Sequence, residues 1–173
     1  NADRGDFMAL SRGAALGSRI AACSLLAFAA GGSSAQGRFV ISADGQEVSD
    51  STTHLIWRRC AEGMHWDGKT CSGKATTFTY KDAKQAADAA HDHVKFWRIP
   101  DRDELVGIVD KTAKKKPLID AMAFPGTPKS PFWAIREGHD DDLNAWLVNF
   151  SNGKVRANIG QKKFPLRLVR ATP

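Results

Sequence analysis

The chain has only three cysteines in 173 residues, and none lies beyond Cys71. A thiol nucleophile late in the sequence is thereby excluded. Cys60 and Cys71, with His65 as the nearby imidazole, fall short of the four ligands of a structural zinc site. No catalytic triad, metal-ligand set or internal repeat is legible, so neither catalysis nor a metal or other cofactor is expected. The apolar run from Ile20 to Ala30 is shorter than the ~20 residues that span a bilayer, so stable membrane insertion of the mature domain is not expected either.

What is present begins with an address. Read from Met8, Arg12 and Arg19 precede the apolar run, and Gly31-Gly32-Ser33-Ser34-Ala35 follows it. This is the three-part order of a secretory signal over residues 8–35, expected to be disordered if retained, with cleavage after Ala35. Residues 1–7 read as a tag remnant, and 36–173 as one mature domain, long enough for its own core. Cys23 sits in a lipoprotein-like box, but the apolar segment follows it rather than preceding it, which argues against lipidation. Export to an oxidising compartment makes the remaining even pair, Cys60 and Cys71, a disulfide, with a short loop that stabilises by roughly 3 kcal/mol. A formal net charge of +6 points to an acidic partner rather than a basic one.

The pattern of the mature region is mixed. Phe39-Val40-Ile41 with a turn at Asp44-Gly45 predicts an opening hairpin, and residues 52–57 a buried strand. Trp66-Asp67-Gly68 is a turn signal. Tyr80, Ala83, Ala86, Ala87 and Ala90 share one helical face. Trp97-Arg98-Ile99-Pro100 then runs into a second helix over 101–110, with Asp101 as cap, Glu104 closing a capping box, and Leu105, Ile108 and Val109 as its apolar stripe. Three strands follow, at 132–135, 145–150 and 166–170, and Ser151-Asn152-Gly153 turns the second back into residues 154–159. Helices early and an antiparallel sheet late predict an α+β fold.

Several motifs occur together and in order: residues 55–64 ending in Glu62-Gly63-Met64, Trp66-Asp67-Gly68-Lys69-Thr70-Cys71, Phe96-Trp97-Arg98-Ile99-Pro100 with Glu104-Leu105, Ala123-Phe124-Pro125, Phe132-Trp133, and Ala145 through Gly153. In this the chain resembles the C-terminal domain family of the Legionella collagen-like adhesin, over roughly residues 47–171. The resemblance implies a C-type-lectin-like mixed fold in an exported protein, with sulfated glycosaminoglycan as the ligand class of the namesake. The collagen-like repeat that precedes the domain there does not occur in this sequence, so trimerisation is not carried over. The Trp-Arg-Ile-Pro element is also similar to formylglycine-generating enzymes, but the late cysteines on which those depend have no counterpart here.

Asp101, Asp103 and Glu104 with Arg102 could serve as an acid pair with an arginine clamp, yet a capped helix start uses the same acids to complement its dipole. Residues 139–144 offer clustered oxygens for calcium without the ligand spacing of a known loop, and His91 with His93 lacks a third ligand. Of the five tryptophans, Trp66 is the one read as a candidate surface aromatic, the others as core. The basic residues carry the functional expectation. Lys154, Arg156, Lys162 and Lys163 form a candidate polyanion surface, with Lys154 and Arg156 facing solvent, Val155 and Ala157 facing inward, and Arg167 and Arg170 beside the last strand. Lys111, Lys114, Lys115 and Lys116 form a second patch in a separate loop; ordinary solubilising charge is the competing reading of both. The expectation is an exported, non-enzymatic binding domain for an anionic polymer such as a sulfated glycan, periplasmic, at the cell surface or secreted. The alternatives are an envelope structural domain that contacts host or envelope proteins and an enzyme of the formylglycine-generating type; nucleic acid is not expected as a partner.

Overall fold

A computed structural model describes residues 37–92, 94–136, 145–157 and 162–173, which fall in one compact unit. In chain order the elements are β1 (Phe39–Ile41), β2 (Glu47–Asp50), β3 (Leu55–Arg58), β4 (His65–Trp66), β5 (Cys71–Ser72), β6 (Thr77–Phe78), α1 (Tyr80–Ala90), α2 (Arg102–Gly107), β7 (Pro131–Ile135), β8 (Ala145–Asn149), β9 (Val155–Ala157), β10 (Phe164–Pro165) and β11 (Val169–Ala171). The predicted α+β class is what these elements form. The segment 8–35 expected to be an export signal, His93 and the acidic stretch 139–144 lie outside the described residues.

Four antiparallel strands make one sheet in the order β1-β2-β3-β11, and three make another in the order β7-β8-β9. The first hairpin turns where expected: Asp44 accepts hydrogen bonds from the Ser42 hydroxyl at 2.6 Å and the Gln46 amide at 3.0 Å, while Gly45 takes φ +71°, which glycine adopts without a steric cost. The strand expected from residue 52 starts only at Leu55. The Asp50 carboxylate captures the Thr52 amide at 3.0 Å, and its carbonyl takes that of His54, so residues 52–54 turn instead of extending.

Two apolar clusters share the sheets between them. Alternation sends Leu55 and Trp57 of β3 into one cluster and Ile56 into the other; likewise Phe132, Ala134 and Val148 meet the first while Trp133 and Leu147 meet the second. Strands buried on both faces read as continuous apolar runs, which is the pattern of Phe132–Ile135 and Ala145–Val148. The alanine face of α1 brings Tyr80, Ala83 and Ala87 against the second cluster, and Thr79 caps this helix by accepting from the Asp82 amide at 3.2 Å.

The Trp-Arg-Ile-Pro segment joins the layers. Trp97 and Ile99 are buried in the second cluster, while Leu105, within α2, and Ile108, just beyond its end, enter the first. Glu104 accepts the Asp101 amide at 2.8 Å and a bidentate pair from Arg98 at 2.8 and 2.6 Å, closing the capping box. This helix is shorter than 101–110: Gly107 is a poor helix former, and Ile108 has already left helical geometry at φ −98°, ψ 5°. The strand expected at 166–170 also starts late, at Val169. Pro165 ends β10 and has no amide to donate, and the carbonyls of Leu166 and Leu168 are taken by the amides of Glu62 and Arg58, so regular pairing resumes only at Val169.

Cys60 and Cys71 are bonded, as expected from their even count, and tie the end of β3 to β5. Between them Asp67 accepts from the Ser72 hydroxyl and from the amides of Thr70 and Lys69, both at 2.8 Å. These bonds, the Ser72 hydroxyl first, hold its carboxyl down at about 2.

Candidate polyanion-binding surface

The β8–β9 hairpin is set by asparagine chemistry. Asn149 accepts the Ser151 amide on its side chain at 2.7 Å and the Gly153 amide on its carbonyl at 2.7 Å, and Asn152 accepts the Lys154 amide at 3.0 Å. Gly153 takes φ +70°. The strand that emerges, β9, is the edge of its sheet and exposed throughout. Val155 and Ala157 therefore do not face inward as expected: alternation buries a face only where another layer covers it, and Val155 is left 37% exposed.

Lys154 and Arg156 line one shallow depression of about 160 Å³ with Pro131, Leu147, Asn149 and Asn152. The Arg156 guanidinium lies 5.8 Å from the centre of the Phe164 ring, which directly follows exposed Lys162 and Lys163. The four residues thus come from the hairpin and from the approach to β10, and among the described residues none is in an ion pair. Most arginines elsewhere are committed. Arg38 pairs with Asp50 at 2.6 Å, Arg98 with Glu104 at 2.6 Å, and Arg102 with Asp103 at 2.8 Å.

Arg167 and Arg170 do not join this surface. Arg167 is fully buried, donating to the carbonyls of Arg58 at 2.7 Å and of Arg59, and to the Thr127 hydroxyl at 2.8 Å, with the rings of Phe124 and Phe132 beneath it. Burial pulls this guanidinium down to about 9, with the Glu62 charge opposing, so it stays protonated at neutral pH. Burial likewise pushes the Glu62 carboxyl up, against the attraction of Arg58 and Arg167. Arg170 is held by Glu47 at 2.7 Å and lies 5.2 Å from the centre of the Trp97 ring, with Arg58 5.0 Å from the same ring. These cations serve packing.

The other candidates resolve similarly. Trp66 is half-buried, with the Arg59 guanidinium 3.7 Å from its ring centre and the Gly45 backbone against its indole nitrogen, so it is not an open stacking platform. His91 packs edge-on against Phe96 at 4.8 Å. Among the described residues no three His, Cys, Asp or Glu side chains are grouped to hold a metal ion, and no helix is long and apolar enough to cross a membrane. Lys111, Lys114, Lys115 and Lys116 are exposed in their own loop, and Lys111 lines a different concavity from Lys154 and Arg156. That concavity runs along β1 and was not legible in the sequence, because its walls come from residues 37–41 and 108–123.

A profile of the Lcl C-terminal domain family matches residues 46–170. No curated protein and no solved structure matches the chain.

Proposed function

The chain belongs to the Lcl C-terminal domain family, and from that premise we propose an exported, non-catalytic binding domain of C-type-lectin-like architecture that recognises an anionic polymer such as a sulfated glycan. The observation that carries this reading is the set of four exposed cations, Lys154, Arg156, Lys162 and Lys163, left without ion pairs among the described residues, whereas Arg38, Arg98 and Arg170 are paired and Arg167 is buried. A shallow, exposed cationic surface suits a polymer whose charge repeats along its length, because many weak contacts add without a shape-specific pocket. The Cys60–Cys71 bond supports residence in an oxidising compartment, outside the cytoplasm. The non-catalytic reading is supported by the positions of two acids, Glu104 in its pair with Arg98 and Asp101 at the helix cap.

Glycan-array binding of the folded protein at moderate salt tests the proposal. Selective retention on sulfated over neutral glycans of equal length is expected. Equal signals on both classes, or none, would reject the anionic-polymer reading.

A further inference from the structure

We propose a second and independent binding site: the open edge of β1 and the groove beside it capture an extended segment of a partner protein in which apolar and acidic residues alternate. β1 is the outer strand of the β1-β2-β3-β11 sheet. The bonds Ser51 N–H to Arg38 C=O and Ser42 N–H to Glu47 C=O fix which residues of β1 face β2; by alternation Phe39 and Ile41 carry their amides and carbonyls outward. Among the described residues nothing pairs with them. An unpaired edge of this kind is a template for strand addition.

The side chains beside that edge are apolar. Phe39 and Ile41 line one wall of a groove of about 530 Å³, and Ile108, Val109 and Met122 line the other. Met122 is 79% and Ile41 39% exposed, so each wall presents an apolar side chain to solvent. A strand added to β1 places every second side chain on the Phe39 and Ile41 face, over this groove.

Charge selects the occupant. Lys111 stands at the rim, with Lys114, Lys115 and Lys116 in the same exposed loop, and none makes an ion pair among the described residues. The groove also holds two carboxylates, Asp110 and Asp120, which the four lysines outnumber. Arg38 is neutralised by Asp50. A second copy of this chain, itself at net charge +6, would bring like charge to a basic rim, whereas an acidic strand complements it.

The test pans a random heptapeptide display library on the immobilised full chain, then measures a dye-labelled selected peptide by fluorescence anisotropy. Expected are sequences alternating apolar and acidic residues, with affinity reduced at least tenfold by Met122→Glu and by Lys111→Glu. Ile41→Pro should also abolish binding, because it removes an outward amide and no bond to β2; Met122→Glu, at an exposed site, covers the event that the proline variant misfolds. Heparin elution of Met122→Glu should match the parent, separating this site from the glycan surface. Selection without alternation, peptide binding unchanged in Met122→Glu and Lys111→Glu, or a dimer in sedimentation that Met122→Glu dissociates would each overturn the proposal.

Discussion

Replacing Arg167 with methionine tests how a buried cation is maintained in this core. The side chain serves three acceptors, the carbonyls of Arg58 and Arg59 and the Thr127 hydroxyl, and its Nε is buried without a partner. Each acceptor stripped of its donor costs about 1–3 kcal/mol, so the gross loss is roughly 3–9 kcal/mol. Methionine fills much of the space over Phe124 and Phe132 and removes the cost of desolvating a charge, which is itself several kcal/mol. The expected net destabilisation is about 2–4 kcal/mol. Urea unfolding followed by tryptophan fluorescence should therefore show a lower midpoint with an unchanged slope. Arg167→Lys keeps the charge but loses the planar fork, and should fall between the two. Under folding conditions the Met variant should elute from heparin with the parent, since Arg167 is inside the protein. A midpoint unchanged or raised would mean that desolvation outweighs the three bonds and would refute this account of the core.

Removing the disulfide by Cys60→Ser with Cys71→Ser should cost about 3 kcal/mol, the loop-closure entropy of a short ring, read as a lower urea midpoint; an unchanged midpoint would contradict a structural bond. Gly45→Ala should destabilise by about 1–3 kcal/mol, because φ is +71° and the new Cβ would lie 2.4 Å from the Trp66 indole nitrogen. Gly107→Ala should instead raise the melting temperature, gaining up to about 1 kcal/mol of helix propensity in open space. Burial works against ionised Glu47 and Asp50, but the bonds from Lys95 and Arg170 to Glu47, and from Arg38 to Asp50, keep both carboxyls below their usual range. Folded values below unfolded ones mean that their contribution is complete above about pH 4 and is lost as pH falls through the folded values. Melting temperature should drop on acidification below that point, and less steeply in Asp50→Asn.

Local chemistry was legible in the sequence and distant partners were not. The capping box of α2, the alanine face of α1, the Asp44-Gly45 and Asn152-Gly153 turns and the Cys60–Cys71 pair all depend on residues close together in the chain. Arg167 was grouped with surface cations because a basic residue in a strand-like run reads as solvated. Its acceptors on Arg58 and Arg59 lie 109 and 108 residues away, and nothing local announces them. Val155 failed for the converse reason, since alternation says which residues share a face but not whether a layer covers it. The Arg59 cation on Trp66 and the groove between β1 and residues 108–123 are likewise products of tertiary approach.

The central claim is best tested by titrating heparin against the parent protein and the Lys154→Glu, Arg156→Glu, Lys162→Glu, Lys163→Glu quadruple variant at two salt concentrations. Exposed charges separated by more than about 8 Å are screened at physiological ionic strength, so parent affinity should fall steeply with salt. An exposed pair contributes about 0.2–1 kcal/mol, so single alanine variants should weaken binding less than about sixfold, while the quadruple reversal should abolish it. Salt-independent binding, or a quadruple variant that binds as the parent does, would contradict the assignment of this surface.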